Sequence, residues 1–174
     1  MEEGEARKMQ LVDTETHQKT GHTDDRFIWR QWYRKQIGDL IMEWKYVKEL
    51  KSVNLIDDYE CLVKYVFCDS FRNCVIANNG GRPSKKAFDT DRVKERELKS
   101  FLSFNKEDRE TVWKIFDWNK DELTNKYVPF AIDNYGNLIC FDANNDKIVF
   151  VNHEDMSVEI IADNFNDFMN GLYE

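Results

Sequence analysis

Proline and glycine are scarce in this chain: 2 prolines and 7 glycines in 174 residues. That scarcity excludes collagen-like repeats and Pro/Gly-rich linkers. No apolar run approaches the roughly 20 residues that a membrane-spanning helix needs. The opening MEEGEARKMQ lacks the basic-then-apolar order of a secretory signal, so a cytoplasmic protein without a membrane segment is expected. Only 3 histidines occur, and no GK[ST] follows a glycine pair, which removes the usual phosphate loop. Four cysteines (Cys61, Cys68, Cys74, Cys140) show no CxxC spacing and sit in apolar runs. They are expected to be reduced, mostly buried thiols rather than metal ligands or disulfides.

What is present argues for one packed globule, since 41% of residues are hydrophobic and 14% aromatic. The net charge of −8 is unevenly placed. From Tyr127 onward nine acids (Asp133, Asp142, Asp146, Glu154, Asp155, Glu159, Asp163, Asp167, Glu174) face Lys147 alone, and residues 1–126 balance. An acidic end repels nucleic acid and attracts basic surfaces. The alternative is that acids simply collect at turns and helix starts.

Residues 1–23 are polar and aperiodic, and read as a disordered or weakly packed tail. His17 and His22 lie five apart within it, which offers a metal too few ligands. A single domain is expected over 24–174. From Asp24, Trp29, Tyr33, Ile37, Leu40, Ile41, Trp44, Val47 and Leu50 recur at spacings of three and four, which predicts a long amphipathic helix, with Gly38 a point where it could divide. Arg26, Arg30 and Arg34 line a neighbouring face, read as a solvated edge in preference to a base-stacking one.

Two short helices are predicted next. DDYECLVKYV is capped near Asp57 and buries Cys61, Leu62 and Val66; DSFRNCVIA is capped by Asp69 and buries Phe71, Cys74 and Val75. The second runs into VIANNGGRP, where Gly80 and Gly81 supply a left-handed helix stop and Pro83 a sharp exit. A phosphate cradle would need the glycines before a helix, not after one. ELKSFLSF reads as a strand, and NKEDRETVWKIFDW as a helix with Asn105 and Asp108 in cap positions. YVPFAI, NLICF, KIVFVN and VEIIA then read as four strands joined by short Asn/Asp/Gly turns. Their apolar interiors predict a sheet covered on both sides, with Pro129 at a strand start or edge. A last helix from Asp163 or Asn164 presents Phe165, Phe168, Met169 and Leu172.

No nucleophile–base pair stands out. His153 and Glu154, with Asp133 and Asp142 in nearby loops, form the only cluster suited to acid–base or metal chemistry. Turn preferences explain the same residues without a substrate. No cofactor or metal is expected.

Taken in order, FCDSFRNCVIANNGGRP, YVPFAIDNYGNLICFD, IVFVNHE and IADNFNDFMNGL resemble the SUKH superfamily, the yeast cell-wall-assembly-regulator-like proteins. The resemblance spans about residues 57–172. It departs at Phe67-Cys68, where Leu-Pro is usual, and at Phe71, where Tyr is usual. It implies an α+β fold, a mainly antiparallel curved sheet packed with helices, and no catalytic residues. Asn79, Gly80, Gly81, Pro83, Pro129, Asp133 and Gly136 then become structural motif positions. Bacterial members look like immunity proteins that neutralise toxins, often nucleases; others are regulators that bind proteins. The resemblance implies an immunity protein acting on a cognate toxin, possibly a nuclease. The location of charge in the acidic C-terminal third then makes Asp133, Asp142, Asp146, Glu154 and Asp155 the expected contacts to that toxin's basic surface. Nucleic acid and membrane are not expected partners, and the sequence does not specify an oligomeric state. The alternatives are a regulatory module without a toxin and, from another class, a metal-dependent hydrolase built on His153.

Overall fold

In the computed structural model, which describes residues Met42–Glu174, the chain enters through a short strand, β1 (Trp44–Lys45), paired antiparallel with β2 (Arg82–Pro83). The part of the long helix expected from Asp24 that falls on residues 42–50 is therefore not helical. The remainder of that expectation, the tail and the boundary at 24 lie outside the described residues. Trp44 is held edge-on against Phe101 at 5.0 Å, while Val47 is exposed. An aromatic packed on a sheet and a solvent-facing Val outweigh their helical spacing.

Helix α1 (Asn54–Val63) buries Ile56, Tyr59 and Val63. This corrects the expected face, since Cys61, Leu62 and Val66 are all exposed. Tyr59 decides the rotation: its ring meets Phe104, Trp113 and Phe116 edge-on at 5.6, 5.2 and 6.2 Å. Burying one large aromatic outweighs burying a cysteine and a leucine. The helix ends where Lys64 takes a left-handed conformation at φ 55°. Helix α2 (Asp69–Asn78) has Asp69 in its first turn rather than at the cap, which is Cys68. Phe71 and Val75 are buried as expected, and Cys74 is half-buried.

The main sheet has six antiparallel strands in sequential order: β3 (Ala87–Phe88), β4 (Arg96–Phe101), β5 (Tyr127–Asp133), β6 (Leu138–Asp142), β7 (Ile148–Val151) and β8 (Val158–Ala162). Between β4 and β5 lie α3 (Val112–Trp118) and α4 (Lys120–Leu123), and α5 (Phe165–Gly171) closes the chain. Every residue of β7, and of β6 up to Phe141, is buried, so both faces of the sheet centre are covered. Pro129 is the third residue of β5, paired with Cys140 of β6 and preceding the stretch Ala131–Asp133 that pairs with β4. It lies beside an irregularity at Pro129/Ala131, where a bulge tolerates the missing N–H donor.

The sheet curls until its ends are linked through side chains. Arg96 of β4 reaches Glu159 of β8 at 3.6 Å, and the backbone N–H of Arg92 donates to the same carboxylate. The outer edge of β3 is sealed by the C-terminal residues, Ala87 and Tyr173 exchanging backbone hydrogen bonds of 2.9 and 3.0 Å. Phe71 is the centre of the core, fully buried, with the rings of Phe67, Phe130, Phe141 and Phe165 between 4.6 and 5.4 Å away. The result is an α+β domain with a curved, nearly closed antiparallel sheet.

Candidate functional site

The NNGGRP corner follows α2 directly. The carbonyl of Asn78 accepts from the N–H of Gly81 at 2.9 Å. Asn79 has φ −50° and ψ 126°, and Gly80 has φ +64°. These are the hydrogen bond and dihedrals of a type II β-turn, which requires positive φ at its third residue. Gly81 does not have positive φ, so the two glycines are not a paired left-handed stop. A Cβ at Gly81 would lie 2.9 Å from the Asn78 carbonyl oxygen and 3.0 Å from the Trp44 ring. It is glycine because the backbone passes too close to its neighbours.

Asn79, itself buried, uses both ends of its side chain. Its amide donates to Ser103 Oγ at 3.0 Å, and its Oδ1 accepts from the N–H of Phe104 at 2.8 Å. Ser103 Oγ also accepts from the N–H of Asn105 and donates to Asp108, which exhausts the capacity of a hydroxyl. Asn105 in turn donates to the Glu49 carbonyl and accepts from the Lys51 N–H. Asn105 and Asp108 are thus not helix caps; Asn105 clasps residues 49–51 onto the corner, and Asp108 adds an ion pair to Lys48 at 3.6 Å. Thr111 caps α3 instead, accepting from the Lys114 N–H at 3.2 Å. Partial burial pushes the Asp108 carboxyl up, but donation from Ser103 and the charge of Lys48 outweigh it, and the group is held below the usual carboxylate range. The corner is a closed structural latch, with Pro83 buried in β2 beside it.

The turn between β5 and β6 is built the same way. Asp133 is buried and accepts from the N–H groups of Tyr135 and Asn137 at 2.8 Å each and from the Asn137 amide at 2.7 Å. Gly136 supplies the turn's positive φ of +88°. Asn137 Oδ1 accepts from the His153 N–H at 3.1 Å and lies 3.1 Å from His153 Nδ1. Asp133 and His153 therefore tie two adjacent turns together through Asn137. This corrects Asp133 as a partner contact: its oxygens face the turn, not solvent.

The remaining acids fall at opposite ends of the sheet. Ile132 pairs with Leu138, and Tyr127 pairs with Asp142, so Asp133 and Asp142 are separated by the length of β6, about 15 Å at ~3.3 Å per residue. Glu154 and Asp155 lie with Asp133 at one end; Asp142 and Asp146 lie at the other. The His153–Glu154–Asp133–Asp142 cluster suggested by the sequence is therefore not assembled. Asp142 is occupied by the Asn144 N–H, and Asp146 by the Tyr65 hydroxyl at 2.8 Å. Asp155 accepts from Ser157, whose hydroxyl and then N–H hold its carboxyl below the usual range. Glu154 is exposed, and its carboxylate has no partner among the described residues. Among the described residues no group of three His, Cys, Asp or Glu is placed to hold a metal ion.

Sequence reasoning missed a basic surface. Two adjoining depressions of about 290 and 270 Å³ share Lys99 and Asn134. Lys45, Arg82 and Lys86 line one, and Arg109 and Lys114 the other. These residues are scattered over seventy positions in a charge-balanced stretch, so no local pattern signals them.

The antiparallel order, the NGG corner and the Asp133–Asn137 turn define an α+β module whose motif residues are structural. The chain belongs to the SUKH family: the SUKH_6 family model, described as SMI1-KNR4 cell-wall, matches residues 54–169, two thirds of the sequence. Comparison with curated proteins gives no match. No helix among the described residues is long and apolar enough to cross a membrane.

Proposed function

We propose that this chain is an immunity protein that binds a cognate toxin stoichiometrically and neutralises it by direct protein–protein contact. Family membership carries the reading, because SUKH domains are generally non-catalytic immunity or regulatory modules. The role of His153 supports it. The one histidine among the described residues is engaged by Asn137, which is in turn held by Asp133, so its interactions are those of a turn brace. The regulatory alternative shares the same mode of action and lacks only the toxin.

The acids best placed to meet a basic partner are Glu154 and Asp155, exposed together on the turn after β7. Asp142 and Asp146 form a second acidic site at the far end of the sheet, and no flat partner surface need touch both. Co-expression of this chain with the product of a neighbouring toxin gene tests the proposal. Rescue of growth together with recovery of a stoichiometric complex is expected. Rescue without a complex, or a complex without rescue, would refute neutralisation by binding.

A further inference from the structure

The two depressions meet at Lys99 and Asn134 and are taken together as one groove. Its lining carries Lys45, Arg82, Lys86, Lys99, Arg109 and Lys114 against Glu110 and the buried Asp133. A chain with a net charge of −8 thus bears a strip of opposite sign. Several of these cations are already committed. Lys86 pairs with Glu97 at 3.0 Å, Lys99 with Glu110, and Lys114 donates to the Asp108 carbonyl. Lys45 and Arg109 have no ion-pair partner among the described residues, and Arg82 lies over the Tyr46 ring at 5.1 Å. Charge is therefore available at both ends of the groove.

The groove also has apolar anchors. Ile115 and Ile132 line one depression, and Pro83 and Leu98 the other. Trp118 and Tyr46 stand at opposite ends, 70% and 73% exposed. Arginine, tryptophan and tyrosine are the residues enriched in the energetically dominant parts of protein interfaces. Trp118 makes no ring contact among the described residues, and Tyr46 carries only the Arg82 guanidinium.

From this we infer that the groove is a docking site for an acidic protein segment, its carboxylates meeting Arg82, Lys45 and Arg109 and an apolar side chain seated against Trp118. Nucleic acid would also answer to positive charge. It is the poorer fit because the chain as a whole repels a polyanion, and two of the four lysines, Lys86 and Lys99, are neutralised by Glu97 and Glu110, leaving separated charges instead of a continuous phosphate track. The inference does not depend on a toxin. It assigns a second surface, opposite in sign to the acidic turn.

The test uses the purified full chain and a fluorescein-labelled peptide alternating Glu and Leu around a central Trp, followed by anisotropy. The same peptide with Gln for Glu and a single-stranded oligothymidine of matched length are run beside it. Saturable binding of the acidic peptide is expected, weakened more than about tenfold by Trp118→Ala and by Arg82→Glu combined with Arg109→Glu. Lys45→Glu with Arg109→Glu provides a second charge-reversed variant should the first fail to fold. Glu154→Lys with Asp155→Lys should leave peptide binding intact, and loss of toxin contact in that variant would bear on the immunity reading alone. Equal binding of the Gln peptide, tighter binding of oligothymidine, or no saturable peptide binding would overturn the inference.

Discussion

Gly80 and Gly81 are adjacent, yet they resist substitution for different reasons, and the difference can be measured. At Gly80 the obstacle is the backbone: φ is +64°, while an added Cβ would meet its neighbours at an ordinary 3.4 Å. Asn tolerates that conformation better than Ala or Val. Gly80→Asn should therefore cost less than Gly80→Ala, itself expected at about 1 kcal/mol, and Gly80→Val should cost most. At Gly81 the obstacle is space, with the Asn78 carbonyl oxygen 2.9 Å away, so Asn should be no better than Ala. Urea midpoints of the five variants check this, and the same ranking at both positions would contradict the turn assignment. Asp108 gives a second prediction at this scale. Its carboxyl is held below its ordinary value in the folded chain, so the unfolded state binds its proton more readily. The stabilisation is complete above the unfolded pKa of about 4 and is lost as pH falls through the folded value. Asp108→Asn should therefore be less stable than the parent at neutral pH, with the gap shrinking below about pH 4; a gap that does not change with pH would show that the latch gains nothing from the charge.

At the scale of elements, the sequence was most legible where turn chemistry and apolar runs agreed. The strands β5 to β8 and helix α5 lie where DNYG, DANND, HEDMS and the Asn164 cap place them, and Asn164 accepts from the Asp167 N–H at 2.9 Å. It was least legible where two apolar stripes competed on one helix. In α1, Tyr59 is not marked by spacing as stronger than Leu62; only the rings waiting on α3 and beside it select that face. The Trp44–Val47–Leu50 stripe failed for the same reason, since pairing with β2 is a long-range event that helical periodicity does not record. Asn105 and Asp108 looked like caps because Asn and Asp serve caps and clasps equally well. The cysteines follow from these rotations. Cys61 and Cys68 are exposed, Cys74 is half-buried with its thiol pushed up to about 11 by burial, and Cys140 is fully buried with its thiol raised by the same cause. Labelling the native chain with a thiol reagent should modify Cys61 and Cys68 quickly, Cys74 slowly, and Cys140 only on unfolding. Mass-spectrometric mapping checks the order, and rapid labelling of Cys140 would mean that the sheet is not covered on that side.

At the scale of the molecule, folding redistributes charge in a way that composition hides. Nine acids in the last third suggest one acidic surface. The sheet instead sends them to opposite ends, turns Asp133 inward, and pairs Glu159 with Arg96 across the closure. What remains for a basic partner is chiefly the Glu154–Asp155 turn, while six scattered cations converge on the groove beside Asn134. Binding function, on this account, resides in surface charge placed by a structural frame, and the frame's own polar residues are spent in holding turns.

The most direct test of that claim is the association rate of the co-expressed toxin with this chain, measured by stopped flow across a series of salt concentrations. The account predicts fast association at low salt that slows as screening shortens the reach of the field. Glu154→Lys should slow it at low salt without shifting the melting temperature, because exposed substitutions away from a hydrogen-bond network usually move stability by less than about 0.5 kcal/mol. Adding Asp155→Lys should slow it further, with a small fall in melting temperature from the lost Ser157 contact. Asp133→Ala should do the reverse, lowering the melting temperature through unpaired N–H groups while leaving the rate for the folded fraction unchanged. Glu95→Lys, Glu97→Lys and Glu107→Lys, in the charge-balanced middle, serve as controls. Salt-independent association, or an equal loss from the controls, would contradict the assignment of the contact to the acidic turn.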